Sequence, residues 1–362
     1  MYNVAIIGCG RISHKIVEGA AKNRDRIKLV ALCDPIEEKM YETEKTYNKK
    51  MEKEVLLLKY RNYNEILKQN KIDIAIISTE SGYHEKIGLY FLENGVNVII
   101  EKPLAMSIEG AQRLVDTAKK NNLKLAASHQ NRFNYPIQLL KKAIKENRLG
   151  KIFNGMARIL WTRDDNYYLQ ASWRGTWALD GGTLMNQCIH NIDLINWMMD
   201  DEIDTVYAQT SKYIRNIEAE DYGVIVIRYK SGKIATIEGS AIIYPKNLEE
   251  TLTITGEKGT VVIGGMAVNK INTWRVEGDN EEEYLSVDCG DPNSVYGYGH
   301  EALYKDFLDA LDENRDPLVN GKDGLEAVKI VLAAYKSQKT GLPVKFSEFK
   351  EFSTLIMGEK ND

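Results

Sequence analysis

The chain has 362 residues, of which 43% are apolar and 28% charged, with 52 acidic against 48 basic side chains. This length exceeds that of a usual single domain of ~100–200 residues and therefore favours two domains. The near balance of charge supplies no basic field for nucleic acid, so a DNA- or RNA-binding protein is disfavoured.

The spacing of the cysteines and the N-terminal sequence indicate the cellular compartment of the protein. The four cysteines are scattered without a CxxC pair, which indicates neither a disulfide framework nor a zinc site. The chain enters a strand-like run, "NVAIIG", without the basic segment and long apolar region of a signal peptide. No stretch approaches the ~20 apolar residues of a membrane span. We expect a cytoplasmic protein with reduced thiols, no metal and no membrane partner.

The first part of the chain alternates short apolar runs with helical patterns, which predicts a parallel sheet covered by helices on both faces. Helices are expected from about Ile12, from about His84 and over "SIEGAQRLVDTAKKNN", and residues 37–60 are interpreted as a charged surface helix with its connection. The predicted strands are "NVAIIG", "IKLVALCD", "KIDIAIIST", "VNVII" and "LKLAAS". Residues 1–130 are therefore predicted as a doubly wound, NAD-binding Rossmann domain.

From about Phe133 the pattern changes to a helix, "IQLLKKAIKENRLG", and then to long strands. The segments "DYGVIVIRYKSGKIATIEGSA" and "TLTITGEKGTVVIGG" each contain a short turn with glycine, which indicates hairpins in a large, open, mostly antiparallel sheet. Helices in "GHEALYKDFLDALDEN" and "GKDGLEAVKIVLAAYKSQ" follow. Residues 131–362 are predicted as an α+β domain for substrate binding and oligomerisation, with the late helices packing back on the first domain.

A candidate dinucleotide site begins at "GCGRIS", which follows the first strand and opens the first helix. Gly8 permits the tight turn, Gly10 lets backbone N–H groups approach a pyrophosphate, and Ser13 is small enough to replace the third glycine. Asp34 ends the second strand, where its carboxylate can bind both ribose hydroxyls and would repel a 2′-phosphate, so NAD is predicted over NADP. The candidate cofactor-binding residues are Gly8, Gly10, Arg11, Ile12, Ser13, Asp34, Ser78, Thr79, His84, Glu101, Lys102 and Gln130.

A candidate for the chemistry is Lys102, in "VIIEKPLAMS" at the end of a predicted strand. Pro103 restricts the backbone of Lys102 to an extended conformation and so fixes the direction of its side chain. Beside a positively charged nicotinamide, the lysine would be pushed toward its neutral form, which suits binding or deprotonating a hydroxyl. A strand-end lysine alone is more often a solvated charge, and the Rossmann context favours the functional interpretation.

The stretch "DGGTLMNQCIHNID", residues 180–193, contains His190 among amides. A helix beginning near Thr183 would place Asn186, His190 and Asp193 on one stripe beside an apolar stripe. His190 by itself could equally be a core histidine. Because an amide at position 186 does not stabilise an imidazolium as a carboxylate would, the pattern favours a neutral histidine that acts as a general base.

Together, the glycine turn, Glu101-Lys102-Pro103, the glycine pair and "HNID" resemble the glucose-fructose oxidoreductase / inositol dehydrogenase family over nearly the whole chain. The resemblance implies a Rossmann domain, a second domain with a large open sheet, and hydride transfer between a nicotinamide and a sugar carbon. It also implies that Lys102 contacts the reacting hydroxyl and that His190 accepts its proton. Most relatives have aspartate where this chain has Asn186, which argues against the common polyol dehydrogenases.

Two segments, "SHQNRFN" and "ASWRGTWALDGGTLMNQCIHNIDLINW", look like those of the UDP-N-acetylglucosaminuronate 3-dehydrogenases within that family. That resemblance implies oxidation of the C3 hydroxyl of a UDP-linked 2-acetamido sugar, the uronate, in the biosynthesis of diacetamido uronic acids for surface glycans. Some such enzymes recycle tightly held NAD(H) with 2-oxoglutarate.

A UDP-linked uronate brings a pyrophosphate, a carboxylate and a uracil ring, which call for arginine and aromatic side chains. Each arginine singly could equally form a structural ion pair, and Tyr298 and His300 are expected to serve a helix start. The candidate substrate-binding residues are Lys102, Arg132, Arg163, Tyr168, Trp173, Arg174, Asn186 and His190, with Tyr167 and Trp177 in the same segments.

Two other functions stay open. A dehydrogenase of the same family could act on UDP-N-acetylglucosamine, an inositol or another sugar, and a non-enzyme on this fold could be an NAD-responsive binding protein. Retention of both Lys102 and His190 disfavours the second, because a sensor needs neither a proton acceptor nor a hydroxyl-orienting lysine. An open sheet with one apolar face also predicts self-association, which we expect to give a homotetramer.

Overall fold

A computed structural model describes residues 1–290 and 297–359 of the chain. The strands are Tyr2–Ile7 (β1), Ile27–Cys33 (β2), Leu58–Tyr60 (β3), Ile74–Ile77 (β4), Asn97–Ile100 (β5), Leu125–Ala127 (β6), Ile152–Leu160 (β7), Ile203–Ser211 (β8), Tyr222–Tyr229 (β9), Ile234–Ser240 (β10), Glu249–Gly256 (β11), Gly259–Gly264 (β12), Lys270–Val276 (β13) and Val344–Lys345 (β14).

Helices connect most of these strands. They are Ser13–Lys22 (α1), Glu37–Met51 (α2), Ile66–Gln69 (α3), His84–Glu93 (α4), Ile108–Lys120 (α5), Tyr135–Lys145 (α6), Asp165–Leu169 (α7), Thr183–Asn186 (α8), Ile189–Met199 (α9), Glu281–Leu285 (α10), Gly299–Asp312 (α11), Gly321–Thr340 (α12) and Leu355–Gly358 (α13). Across the two described ranges, no helix is both long enough and apolar enough to cross a membrane.

The chain forms two compact units. The first contains residues 1–106, 110–130 and 298–325, and the second contains residues 107–109, 131–297 and 326–362. Each unit is built around its own sheet.

The sheet of the first unit is parallel throughout, with the strand order β3-β2-β1-β4-β5-β6. Its central strands are buried along most of their length because helices cover both faces, which explains their nearly continuous apolar sequence. The predicted Rossmann fold is therefore confirmed. Strand β3 lies inside the segment predicted as a connection, since three residues at a sheet edge are too short to show a period.

The sheet of the second unit has the order β13-β12-β11-β7-β10-β9-β8-β14. Both predicted hairpins are present, β9 with β10 and β11 with β12. Every pairing is antiparallel except that of β10 with β7, so the sheet is mixed and mostly antiparallel, as expected. Buried and exposed residues alternate along β9, where Ile225 and Ile227 are fully buried and Val226 between them is exposed.

Candidate active site

The glycine-rich turn of the first unit connects β1 to α1. The N–H of Gly8 donates to the carbonyl of Cys33 at the end of β2 (2.8 Å), and the hydroxyl of Ser78 after β4 donates to the carbonyl of Gly8 (2.8 Å). Gly8 has φ +96°, and a Cβ there would lie 2.5 Å from the Ser78 backbone. The turn therefore requires glycine at this position.

Gly10 differs from Gly8 because a Cβ at Gly10 would meet no protein atom within 4 Å. The space beside its backbone is thus open to a ligand. In addition, no side chain caps the N-terminus of α1, where Ile12 is the N-cap residue. Open space in front of uncapped backbone N–H groups fits the pyrophosphate of a dinucleotide.

Asp34 links the glycine turn to the end of β2. Its Oδ2 accepts a hydrogen bond from the N–H of Cys9 and its Oδ1 accepts one from the N–H of Ile36, both at 2.9 Å. Each carboxylate oxygen has a further acceptor site, so the ribose-binding role of Asp34 stays a prediction. Ser13 is buried and its hydroxyl accepts a hydrogen bond from Thr43 of α2 (3.2 Å), as close packing at this position requires.

Other predicted cofactor residues lie at the same edge of the sheet. Arg11 precedes α1, Thr79 follows β4, Lys102 follows β5 and Gln130 follows β6. In a parallel sheet, the carboxyl ends of the strands meet at one edge, and ligands bind where the strand order reverses, here between β1 and β4.

His84 is placed differently from what we expected. It begins α4, is only 1% exposed, and its ring nitrogens lie 2.7 Å from the carbonyl oxygen of Pro103 and 3.1 Å from that of Thr79. Burial lowers the pKa of His84. The predicted cofactor contact is therefore corrected: the ring joins the loop after β4 to the turn after Lys102, because the start of α4 directs it inward.

Glu101, directly before Lys102, has a partner that sequence reasoning missed. His300 lies in the first turn of α11, as expected, and its Nε2 lies 3.5 Å from Oε1 of Glu101. Burial raises the pKa of Glu101, but the nearby His300, with Ser128 and Lys102 assisting, leaves this pKa below its ordinary value. A buried anion thus lies next to Lys102 in the chain. Because a buried anion needs a partner, Glu101 itself was the feature of the sequence from which such a contact could have been expected.

In the second unit, the double glycine before α8 is held by the buried carboxyl group of Glu220. Oε1 of Glu220 accepts hydrogen bonds from the N–H of Leu184 (2.8 Å) and from the hydroxyl of Tyr335 (3.0 Å). A Cβ on Gly182 would lie 1.7 Å from Oε2 of Glu220. Because this carboxyl group caps the first turn of α8, glycine is the residue that fits here.

The helix that begins at Thr183, as predicted, is interrupted before His190. It ends at Asn186, and α9 begins at Ile189, because the N–H of Cys188 donates to Thr183 five residues back rather than four. The predicted continuous stripe is therefore wrong. The linking residues 187 and 188 nevertheless have right-handed helical backbone angles, so Asn186 and His190 remain about one turn apart.

Asn186 and His190 share one further property. Within residues 180–195 they are the two partly exposed residues, and all the others are buried. His190 is therefore not fully buried in the core, and a ligand can approach both residues from the exposed side. The amide of Asn186 also donates a hydrogen bond to the carboxylate of Asp180, six residues earlier in the same stretch.

Arg132 is occupied by a buried ion pair. Its Nε and one terminal nitrogen donate to the two oxygens of Asp193 at 2.7 and 2.6 Å, and its guanidinium lies 4.9 Å from the centre of the Trp197 ring. This geometry favours a structural role for Arg132 over the predicted contact with substrate. Asp193 belongs to this pair, which the order of residues along one helix could not reveal.

Three of the remaining predicted substrate residues, Arg163, Trp173 and Arg174, form a stack with Tyr167 and with Trp161, which was not predicted; this stack is here called the arginine–aromatic cluster. Its members are Trp161, Arg163, Tyr167, Arg174 and Trp173.

Successive members of this cluster lie 4.4 to 5.2 Å apart, measured from guanidinium carbon to ring centre. The Tyr167 hydroxyl accepts hydrogen bonds from Arg174 (2.7 Å) and from Gln187, the residue after Asn186 (3.3 Å). Tyr168 packs edge-on against Tyr167, and burial raises the pKa of Tyr168. The cluster is therefore a cationic, aromatic surface attached to the segment of Asn186.

A parallel sheet in the Rossmann order, with a glycine turn and an open space before α1, defines an NAD-binding oxidoreductase fold. Two family models agree with it: residues 2–129 match the NAD-binding Rossmann fold of an oxidoreductase family, and residues 141–346 match the C-terminal alpha/beta domain of the same family. The chain belongs to the glucose-fructose oxidoreductase / inositol dehydrogenase family, and its cofactor is NAD.

Solved structures and a curated relative extend the comparison. The chain is 32% identical to the WlbA dehydrogenase from Bordetella pertussis in complex with NADH and UDP-GlcNAcA, covering 94% of this chain and 98% of that one with a TM-score of 0.83. The chain is 33% identical to the WlbA enzyme from Chromobacterium violaceum with the same ligands, covering 95% of this chain and 95% of that one with a TM-score of 0.84. A myo-inositol 2-dehydrogenase from Thermotoga maritima is 25% identical, over 95% of this chain and 98% of its own length.

Proposed function

We propose that this NAD-dependent sugar oxidoreductase oxidises the C3 hydroxyl of a UDP-linked 2-acetamido sugar, UDP-N-acetylglucosaminuronate, to the 3-keto form in the cytoplasm. The observation that carries this proposal is the arginine–aromatic cluster attached to the segment of Asn186 and His190. The similarity to two WlbA enzymes bound to UDP-GlcNAcA supports the same substrate.

The charge and shape of the cluster suit such a substrate. A pyrophosphate and a carboxylate need guanidinium donors, and Arg163 and Arg174 supply them while their planes lie against aromatic rings. Uracil is planar and can stack on an aromatic side chain such as Trp173 or Tyr168. An uncharged inositol makes none of these demands.

In the proposed reaction, His190 accepts the proton of the C3 hydroxyl, and Lys102 binds the oxygen of that hydroxyl as the carbonyl forms. NAD⁺ supplies the acceptor for the hydride from C3 when it is bound. A partly exposed histidine can accept a proton from a ligand, which a fully buried one cannot. The buried carboxylate of Glu101, directly before Lys102, favours a fixed position for this turn.

A direct test compares substrates. We expect the purified protein, supplied with NAD⁺, to convert UDP-N-acetylglucosaminuronate to a 3-keto product, seen by mass spectrometry and NADH absorbance, faster than UDP-N-acetylglucosamine or myo-inositol. Parallel reactions with 2-oxoglutarate test whether it recycles the cofactor. Turnover of myo-inositol without turnover of either nucleotide sugar would overturn the proposal in favour of a polyol dehydrogenase. NAD binding without turnover of any of the three would favour a binding protein.

A further inference from the structure

Asp180 is a buried carboxylate whose two oxygens both accept hydrogen bonds. It is 2% exposed; Oδ2 accepts from the N–H of Gly175 (2.7 Å), and Oδ1 accepts from Nδ2 of Asn186. Two N–H donors on separate oxygens are the pattern of an ionised carboxylate, which can accept but not donate. The side chain of Asn186 therefore faces an acceptor on one side.

This contact determines which way the amide of Asn186 points. Only the NH₂ group of an amide can donate, so it must face Asp180, and the carbonyl oxygen Oδ1 is then directed away from the carboxylate. Because Asn186 is partly exposed, Oδ1 is the atom that it can offer to a ligand. An oxygen in that position accepts a hydrogen bond and rejects a second acceptor.

Both ends of the contact are anchored. The N–H groups of Asp180 and Gly181 donate to the carbonyl of Thr176 at 3.1 and 2.8 Å, which fixes the turn that carries Asp180. On the other side, Glu220 holds the first turn of α8 through Leu184. The amide can therefore rotate only about its own side-chain bonds, and the hydrogen bond to Asp180 opposes that rotation.

We propose that Asp180 is a positioning residue that fixes the amide of Asn186 with its carbonyl oxygen toward the substrate, so that the site requires a hydrogen-bond donor at this point. This inference rests on the proposed function, in which the segment of Asn186 and His190 binds the substrate. A hydroxyl or an acetamido N–H of a sugar meets the requirement, whereas a carboxylate or a ketone does not. Position 186 lacks the carboxylate of most relatives, and Asp180, which contacts Asn186, supplies a carboxylate one side chain further away.

Other ionisable groups lie near Asp180 and also contribute to the pH dependence of stability. Tyr168 packs within reach of the Asp180 charge, Arg163 lies beside Tyr168, and Glu220 caps α8; burial raises the pKa of Tyr168, with the charges of Tyr167 and Asp180 adding to it. None of these groups needs to change in the variants below. Comparison with the wild type at each pH therefore isolates the pair of positions 180 and 186.

The first experiment measures thermal stability and needs no activity. In Asn186→Asp, two carboxylates face each other, so one is held protonated and stability is lost as the pH rises above the ordinary aspartate range. We expect the Tm of this variant, relative to wild type, to fall by about 5 °C between about pH 5 and about pH 8. The exchanged variant Asp180→Asn/Asn186→Asp restores one amide and one carboxylate and should recover most of that loss.

The second experiment measures kinetics with whichever substrate the wild type oxidises best. In Asp180→Asn the amide at 186 is free to reverse, and we expect kcat/KM to fall about tenfold. In the exchanged variant, a carboxylate one turn from His190 stabilises its charged form, so the acid limb of the kcat/KM profile should move to higher pH.

A matched control is Asp221→Asn. Asp221 is equally buried, but its carboxylate accepts hydrogen bonds from the backbone N–H groups of Tyr213, Ile214 and Arg215. The Asp221→Asn variant should have a lower Tm than the wild type, and adding Asn186→Asp to it should not raise the Tm again. If Asn186→Asp shows the pH dependence of the wild type, or the exchanged variant is no better than Asp180→Asn, the inference is wrong. Failure of the nucleotide sugar as substrate would overturn the proposed function alone.

Discussion

Single residues carry the proposed proton transfer. In the proposed reaction, His190 and Lys102 act on the reacting hydroxyl, and the backbone of the glycine turn is the proposed binding site of the dinucleotide. We expect His190→Ala and Lys102→Ala each to lower kcat by about 10²-fold or more, the usual contribution of a positioned proton acceptor. The NAD affinity of His190→Ala, measured by fluorescence titration, should change little. Near-normal kcat in His190→Ala would remove it as the base.

A methyl group added at each of the two glycines of the turn would have a different effect. A methyl group in Gly10→Ala meets no protein atom but enters the space that we assign to the pyrophosphate. We expect its Tm to match wild type and its NAD affinity to fall at least about tenfold. Gly8→Ala, which combines φ +96° with a 2.5 Å backbone contact, should instead lose stability by about 1–3 kcal/mol. Unchanged NAD affinity in Gly10→Ala would place the pyrophosphate elsewhere.

The sequence predicts the positions of residues that follow strand ends and turns, such as Gly8 and Asp34, and their roles toward the cofactor stay predictions. It did not find pairs between distant parts of the chain. Arg132 pairs with Asp193, and His300 lies against Glu101. No local pattern encodes such contacts, because the partner of a buried charge is chosen by the tertiary fold.

At the level of elements, α8 depends on Glu220. Burial raises the pKa of Glu220 from its ordinary 4.5 to about 8. Between those values, the folded chain keeps a proton that the unfolded chain releases, so the free energy of unfolding falls as the pH rises through this window and is highest below it. Glu250 of β11, also buried with a pKa raised to about 8, adds to the same slope.

The variant Glu220→Gln tests this dependence because glutamine resembles the protonated acid. We expect urea unfolding of the variant to show a smaller decrease in stability between about pH 5 and about pH 8 than the wild type. Glu202→Gln, in which the replaced carboxylate is exposed, is the control and should keep the wild-type slope. An equal slope in Glu220→Gln would show that Glu220 ionises normally in the folded chain.

The periodicity of apolar residues predicted most elements but not two details of their ends. Three-residue β3 lies at a sheet edge and shows no pattern of its own. The interruption between Asn186 and Ile189 occurs where the N–H of Cys188 donates to the carbonyl of Thr183. No proline or glycine lies between them, so the sequence does not predict it. Both details depend on packing rather than on local preference.

At the scale of the whole molecule, one face of the second sheet carries partly exposed apolar side chains. A row across five strands on that face contains Tyr207, Val226, Thr236, Met156 and Thr253. Tyr207, Val226 and Met156 are between 36% and 45% exposed, an apolar strip of the kind that self-association covers. We propose that this face joins subunits of a homotetramer.

Sedimentation velocity tests that proposal. Wild type should sediment as a tetramer, and Val226→Glu combined with Met156→Glu should give smaller species because a buried charge lacks a partner. The control Leu56→Glu, at a residue that is 88% exposed in the other unit, should keep the wild-type mass. A monomeric wild type, or an unchanged mass in the double variant, would show that the sheet face is not an interface.

Hydride transfer from C3 of a UDP-linked uronate can be followed with substrate deuterated at that carbon. Mass spectrometry of the cofactor after one turnover should show NADH heavier by one deuterium, and kcat should be slowed when transfer limits the rate. Deuterium that stays in the sugar while NADH forms would contradict the account, because the hydride would then have left another carbon.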